Sequence, residues 1–273
     1  MSRRRPFRHA TLTLGVVITG LLLVTAALSL VWTPADPLAM SISDRLESPS
    51  RGHPFGTDQY GRDLLSRVMA GAVTSIAVGV IAVGIGAAVG MLLGVLSGWV
   101  GGWTDESLMR LVDAVQGFPA ILSALLFTAV FKPGTGISMI AIGIAFVPAF
   151  ARLTRSAFLE LRAREFVTAA RALGASDRRL VLRHVLPNTL APLIVQASTS
   201  FPVAILAEAG LAYLGLGTQP PHPSWGLMLK DAQNFLSLAP TFAVFPGGAI
   251  ALTVLGLNLV GDGLRDVLDP KTA

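Results

Sequence analysis

Cysteine is absent from this 273-residue chain, so disulfides and thiolate metal sites are excluded, while the compartment is left open. Charge is scarce. Only 14% of residues are Asp, Glu, Lys or Arg against 52% hydrophobic, too little polar surface to clothe a soluble globule of this length. The bilayer is then the solvent. Lysine is rarer still: Lys132, Lys230 and Lys271 follow Phe131, Leu229 and Pro270, so there is no Gly-Lys phosphate loop to hold nucleotide. The four histidines, His9, His53, His184 and His222, fall outside the apolar runs, which removes an intramembrane proton relay or zinc site. Asp58 and Asp63 lack the alternating ligands and twelfth-position Glu of an EF-hand loop, so no metal and no cofactor are expected. No repeat of fixed period and no low-complexity tail occurs.

What remains is apolar sequence in long runs, with a mean hydropathy of +0.65. The pI near 10.4 and net charge of +5 do not imply nucleic acid, because the basic residues cluster beside apolar runs rather than spreading over a face. About six candidate spans are read at 11–32, 72–100, 108–131, 137–152, 190–216 and 241–261, giving an all-α polytopic membrane protein in contact with lipid. The first, Thr11 to Trp32, is an uncharged run of 22 residues, roughly 33 Å at about 1.5 Å per residue, enough for a hydrocarbon core of about 30 Å. A cleaved signal peptide fits it less well, since the run exceeds a usual h-region and further spans follow. The third span carries Arg110, Asp113 and Pro119, the fourth Pro148, and the fifth Pro192, Pro202 and Glu208.

With the N-terminus inside, the inner segments hold 15 Lys and Arg and the outer segments 6, so the positive-inside rule places both termini in the cytoplasm of an inner-membrane protein. The organisation expected is a cytoplasmic N-terminus 1–10, a first transmembrane helix 11–32, an extracytoplasmic segment 33–71, a transmembrane domain 72–262 with a cytoplasmic loop 153–189, and a cytoplasmic C-terminus 263–273. Within 33–71, Leu64, Leu65, Val68 and Met69 recur at helical spacing and suggest an interfacial helix. In the outer segment 217–240, Trp225 is a candidate for the headgroup level. The stretch 152–183 has eight Arg against Glu160, Glu165 and Asp177, an excess equal to the net charge of the whole chain.

That basic stretch leads into Glu165 to Pro187, EFVTAARALGASDRRLVLRHVLP. Phe166, Ala169, Ala170 and Leu173 share one helical face, small enough to seat in a partner's groove. Gly174 can end that helix in a left-handed conformation, and Ser176 or Asp177 can cap the next. A solvated basic loop would explain the arginines but neither the apolar face nor the Gly hinge. Along the second span, Gly86, Gly90, Gly94 and Gly98 recur every four residues and let another helix approach, either within the chain or from a sister subunit. Glu208 lies in an apolar run, where a charge costs on the order of 2.5–3.5 kcal/mol, so it faces protein or a watery cavity and is a candidate for the substrate path. Arg110 and Asp113, one turn apart, are read as a local pair.

Ala169, Ala170 and Gly174 with the closing Leu186-Pro187 resemble the Glu-Ala-Ala loop of ATP-binding-cassette importer permeases. The outer GTDQYGRD of residues 56–63, the AEAGLAYLGLGTQPPHPSWG of 207–226 and the GDGLRDVLDP of 261–270 extend the likeness to the peptide/nickel branch, in the same order and over nearly the whole chain. Thr168 stands where that pattern has its first Glu, with Glu165 one turn earlier. The resemblance implies a type I importer permease fold, no bond chemistry, a second and unlike permease subunit, two cytoplasmic ATP-binding subunits and an extracytoplasmic substrate-binding protein. It implies an ATPase-coupling role for Glu165, Phe166, Thr168, Ala169, Ala170, Leu173, Gly174, Ala175 and Asp177. The cargo implied is di- or oligopeptide, with nickel chelates or another small solute as the alternative. A secondary transporter or channel would want more ionisable residues in its spans, and an intramembrane protease a Ser/His pair or zinc ligands there.

Overall fold

Long apolar helices dominate, because in lipid every backbone N–H and C=O must be satisfied within its own segment. The structure, a computed structural model, describes residues 5–268. Arg3 and Arg4 of the N-terminal basic cluster, and Asp269, Pro270 and Lys271, lie outside the described residues. Helix α1 spans Arg5–Ser29, α2 Leu64–Val100, α3 Gly102–Gln116, α4 Ala120–Phe131, α5 Thr135–Arg162, α6 Glu165–Ala172, α7 Asp177–Arg179, α8 Leu186–Tyr213, α9 Trp225–Ala232 and α10 Thr241–Leu268. Among the described residues the only β pairing is an isolated bridge between Thr57 and Asp63. Five helical stretches are long and apolar enough to cross a membrane, or six if α3 and α4, bent by 85°, are counted as one broken span.

Local chemistry sets the boundaries. Helix α2 begins at Leu64 because the Asp63 carboxylate accepts from the Ser66 backbone N–H at 2.7 Å. Leu64, Leu65, Val68 and Met69 are thus the first turns of the second span itself, and the separate interfacial helix expected there does not exist; Leu64 and Met69 are buried. Gly117, Phe118 and Pro119 separate α3 from α4, the proline having no N–H with which to continue a helix. Between α7 and α8 the chain widens into a π turn over Leu180–Val185, the Leu186 N–H reaching back to the Val181 carbonyl. Pro187 follows at once, and a widened turn relieves the clash its ring would make in regular helix.

The spine of the bundle is α2 against α5. A Cβ built on Gly86, Gly90, Gly94 or Gly98 would stand 2.5, 2.6, 2.5 or 2.8 Å from the Cβ atoms of Phe146, Phe150, Thr154 and Phe158. Both rows step by four and ascend together, so the two helices run in the same direction with their four-residue ridges meeting. The glycine face is therefore covered by α5 of the same chain, not by a sister subunit. Val78, Ala82 and Val83 of α2, Ile142 and Phe150 of α5, and Ala204 and Leu211 of α8 form the central core. Helix α1 lies on α10, where Gly15 meets Leu259 and Gly256 meets Ile18. Its opposite flank, including Leu21 and Val24, is exposed and suits lipid.

At the end of the bundle opposite α6, the segment that precedes α2 is tied down by a buried ionic clasp. Asp58 accepts from Arg62 Nε at 2.6 Å and pairs with Arg67 Nε at 3.3 Å, and Arg67 Nη1 donates to the Pro37 carbonyl at 3.1 Å. The GTDQYGRD segment thus places its acid where two arginines neutralise it. Trp225 does not sit at a surface. It is buried against Gly71, with its indole N–H donating to the Val68 carbonyl at 2.9 Å, because a buried indole needs an acceptor and α2 supplies one.

Candidate functional site

Helix α6 is only eight residues long, below the length at which a helix holds itself together in water, so its shape must come from its attachments. Val167 provides the first, buried to 1% exposure with Phe158, Leu180 and Val185. The second is the helix end. Gly174 is at φ +86°, the Ala175 N–H reaches the Ala170 carbonyl at 3.1 Å and the Gly174 N–H reaches that of Arg171 at 3.0 Å. This is a Schellman cap, with Ala170 and Ala175 supplying its apolar contact against the same small core. The third is Trp99 at the foot of α2. Arg162 Nη1 donates to its carbonyl at 2.7 Å, and the Arg171 guanidinium lies 5.6 Å from its ring centroid.

The face left over is apolar and open. Phe166 is 42% exposed and Leu173 89%, with Ala169 between them on the same side. Glu165, in the first turn, and Thr168 are also exposed. The structure brings Phe166, Ala169 and Leu173 together as expected but turns Ala170 inward, where it is half-buried. Ser176 occupies the N-cap of α7 without a side-chain capping bond, and Asp177 instead lies 3.5 Å from Arg171. Val167 and Trp99 are not singled out by the sequence. The alternation of exposed and buried positions around Val167 is available there, but its partners come from helices up to about 70 residues away.

A second set of ties holds α3 to α5. Arg155 grips Asp105 with two bonds of 2.6 Å, and Ser97 at the end of α2 also donates to that carboxylate. Asp113 does not pair with Arg110. It takes Arg152 of α5 at 2.6 Å, while Arg110 bonds Glu106 one turn earlier at 2.5 Å. Helix α5 runs from these ties into α6, so α6 is joined through α5 to α2 and α3.

Glu208 is sealed inside protein at 1% exposure. Ser75 of α2 and Thr218 of the outer segment each stand 3.4 Å from its carboxylate oxygens. Placed this way it joins α8, α2 and the 214–224 turn. Its burial among hydroxyls follows from the cost of leaving a carboxylate in lipid.

Several apolar spans with a short, apolar-faced helix held at one end make this a membrane-embedded helical bundle, the class to which transmembrane transport subunits belong. The chain belongs to the family of binding-protein-dependent transport system inner membrane components, which matches residues 90–273, and it is a multi-pass inner-membrane protein. It is 43% identical over 271 residues, 99% of its length and 91% of the relative's, to a putative peptide transport system permease protein of Brucella abortus. It is 44% identical to the dipeptide transport system permease protein DppC of Alkalihalophilus pseudofirmus, covering 94% of this chain and 84% of that one. With the glutathione transport system permease protein GsiD of Escherichia coli it shares 45% identity over 98% of this chain and 89% of the relative. The fold resembles a chain of the inward-facing MetNI methionine ABC transporter, with a TM-score of 0.61 at 17% identity over 74% of this chain and 96% of that chain. The architecture is that of a type I importer permease.

Proposed function

We propose that this chain is the transmembrane permease subunit of an ATP-driven importer that moves di- and oligopeptides inward, and that α6 is the lever by which separate ATPase subunits work it. One observation carries the reading: a short helix too small to stand alone is fixed by Val167, the Gly174 cap and Trp99 so that Phe166, Ala169 and Leu173 face outward. A face of that kind suits a groove in a moving partner, and its anchorage on α2 and α5 suits force transmission. With α6 in the cytoplasm, both termini are cytoplasmic and the clasped outer segments meet an external binding protein. Two ATP-binding subunits and a second, unlike permease subunit complete the assembly. Closure of the ATPases on ATP draws α6 with them and reorients the spans; hydrolysis returns them. The polypeptide itself performs no bond chemistry. The relatives named for peptide, dipeptide and glutathione favour a peptidic cargo over nickel chelates.

The test uses membrane vesicles containing the complete transporter, with and without the ATPase subunits. Ala169→Arg and Gly174→Pro should each lower ATP-dependent dipeptide uptake at least tenfold while leaving the membrane content of the subunit unchanged, since proline cannot adopt φ +86°. Wild-type uptake in either variant overturns the coupling role.

A further inference from the structure

The elbow between α3 and α4 leans over the middle of α5 and borders a partly open cavity of about 370 Å³. Its floor is Ile144, Pro148 and Arg152 of α5, and its walls include Gln116, Ser123 and Phe127. Pro148 has no N–H to give the Ile144 carbonyl, so that carbonyl lacks its usual helical donor, and both residues line the cavity. At membrane depth, backbone of this kind is tolerated only inside protein or beside a wet cavity. An amide, Gln116, and a hydroxyl, Ser123, line the same cavity. Arg152 also lines the cavity: its Nη2 is bonded to Asp113, and a guanidinium with five N–H groups has further donors to offer.

We propose that this cavity is the section of the solute path that grips the cargo, and that it takes a short zwitterionic peptide, with the ammonium group on the Ile144 carbonyl and the carboxylate on Arg152. The inference rests on the importer reading above and deepens it. Ile144 and Arg152 are two helical turns apart, roughly 12 Å at about 1.5 Å per residue. An extended tripeptide spans about 10 Å, and the cavity volume falls within the roughly 300–1,000 Å³ of small-molecule sites. Gln116 and Ser123 meet the peptide amides between the two ends, and Phe127 gives side chains an apolar wall. Specificity for a free C-terminus then resides in Arg152, a residue that positive-inside counting treats only as topology.

Because the chain has no cysteine, single thiols report on this site cleanly. In the complete transporter reconstituted in liposomes, Ser123→Cys should react with a charged, membrane-impermeant methanethiosulfonate. Modification should cut trialanine uptake at least fivefold, and trialanine during turnover should slow modification at least threefold; Gln116→Cys should behave likewise and serves if the first variant does not assemble. Arg152→Gln should lower the uptake ratio of trialanine to trialanine amide at least tenfold, with Arg152→Lys restoring most of it. Modification that ignores trialanine and leaves uptake unchanged, reaction only with membrane-partitioning reagents, or an unaltered ratio in Arg152→Gln overturns the proposal while wild-type transport stands. If the wild type moves none of dialanine, trialanine or glutathione, the importer reading falls with it.

Discussion

The α2–α5 contact can be tested by adding one methyl group in two places. At Gly90 a Cβ would stand 2.6 Å from Phe150 Cβ, 2.7 Å from the Val147 carbonyl oxygen and 2.9 Å from the Ala151 nitrogen. Carbon atoms at rest keep about 3.5–4.0 Å, so Gly90→Ala must part the helices by about 1 Å. Two of the three obstructing atoms are backbone, which cannot rotate away. Over-packing of this kind costs about 1–3 kcal/mol. Gly84 lies on the same helix with nothing within 4 Å of the point its methyl group would occupy, so Gly84→Ala meets no clash and gains about 1 kcal/mol of helix propensity. That gain is common to both variants and cancels, so they should differ by the over-packing cost alone, about 1–3 kcal/mol. At about 2–4 °C per kcal/mol, Gly90→Ala should melt roughly 2–12 °C below Gly84→Ala in detergent, followed by loss of monodisperse protein on heating. Equal midpoints would refute the packing argument, because the two substitutions are identical in every respect except what the methyl group meets.

Two further outcomes follow from the buried polar contacts at the outer end. Trp225→Ala empties a buried site against α2 and should cost about 3–5 kcal/mol in the same melt, whereas Trp225→Phe, which loses chiefly the bond to Val68, should cost about 1 kcal/mol; a Trp225→Ala variant as stable as wild type would contradict that placement. Glu208→Ala leaves Ser75 and Thr218 without their acceptor and should destabilise by about 1–3 kcal/mol, while Glu208→Gln keeps an acceptor and should retain both stability and uptake. Loss of uptake in a normally folded Glu208→Gln variant would place that carboxylate in the transport path.

Much of the fold is legible because lipid imposes a simple rule on sequence. A run such as 11–32 or 241–261 has to be helix, and the observed α1 and α10 overlie both. The left-handed end of α6 is legible at Gly174, since only glycine adopts that conformation readily. Reading fails where a residue's partner is distant in the chain. Asp113 has Arg110 one turn away, but its charge is met by Arg152, brought alongside by α5. Trp225 has the setting of an interface anchor, yet α2 offers it the Val68 carbonyl in the interior. Leu64 to Met69 has an amphipathic pattern, but the Asp63 cap starts a helix there that runs on without a break.

The sequence by itself determined that the chain is helical and lives in a membrane, and that one basic, Gly-hinged segment interrupts its apolar runs. These are local properties, set by hydropathy and backbone freedom over a few tens of residues. Only the tertiary structure decided which side of each element is occupied. It covered the glycine row with α5, turned Val167 and Ala170 inward and Phe166 and Leu173 outward, buried Glu208 and bent α3 and α4 over a cavity on α5. Those choices depend on close packing between segments far apart in the chain, which no local pattern encodes.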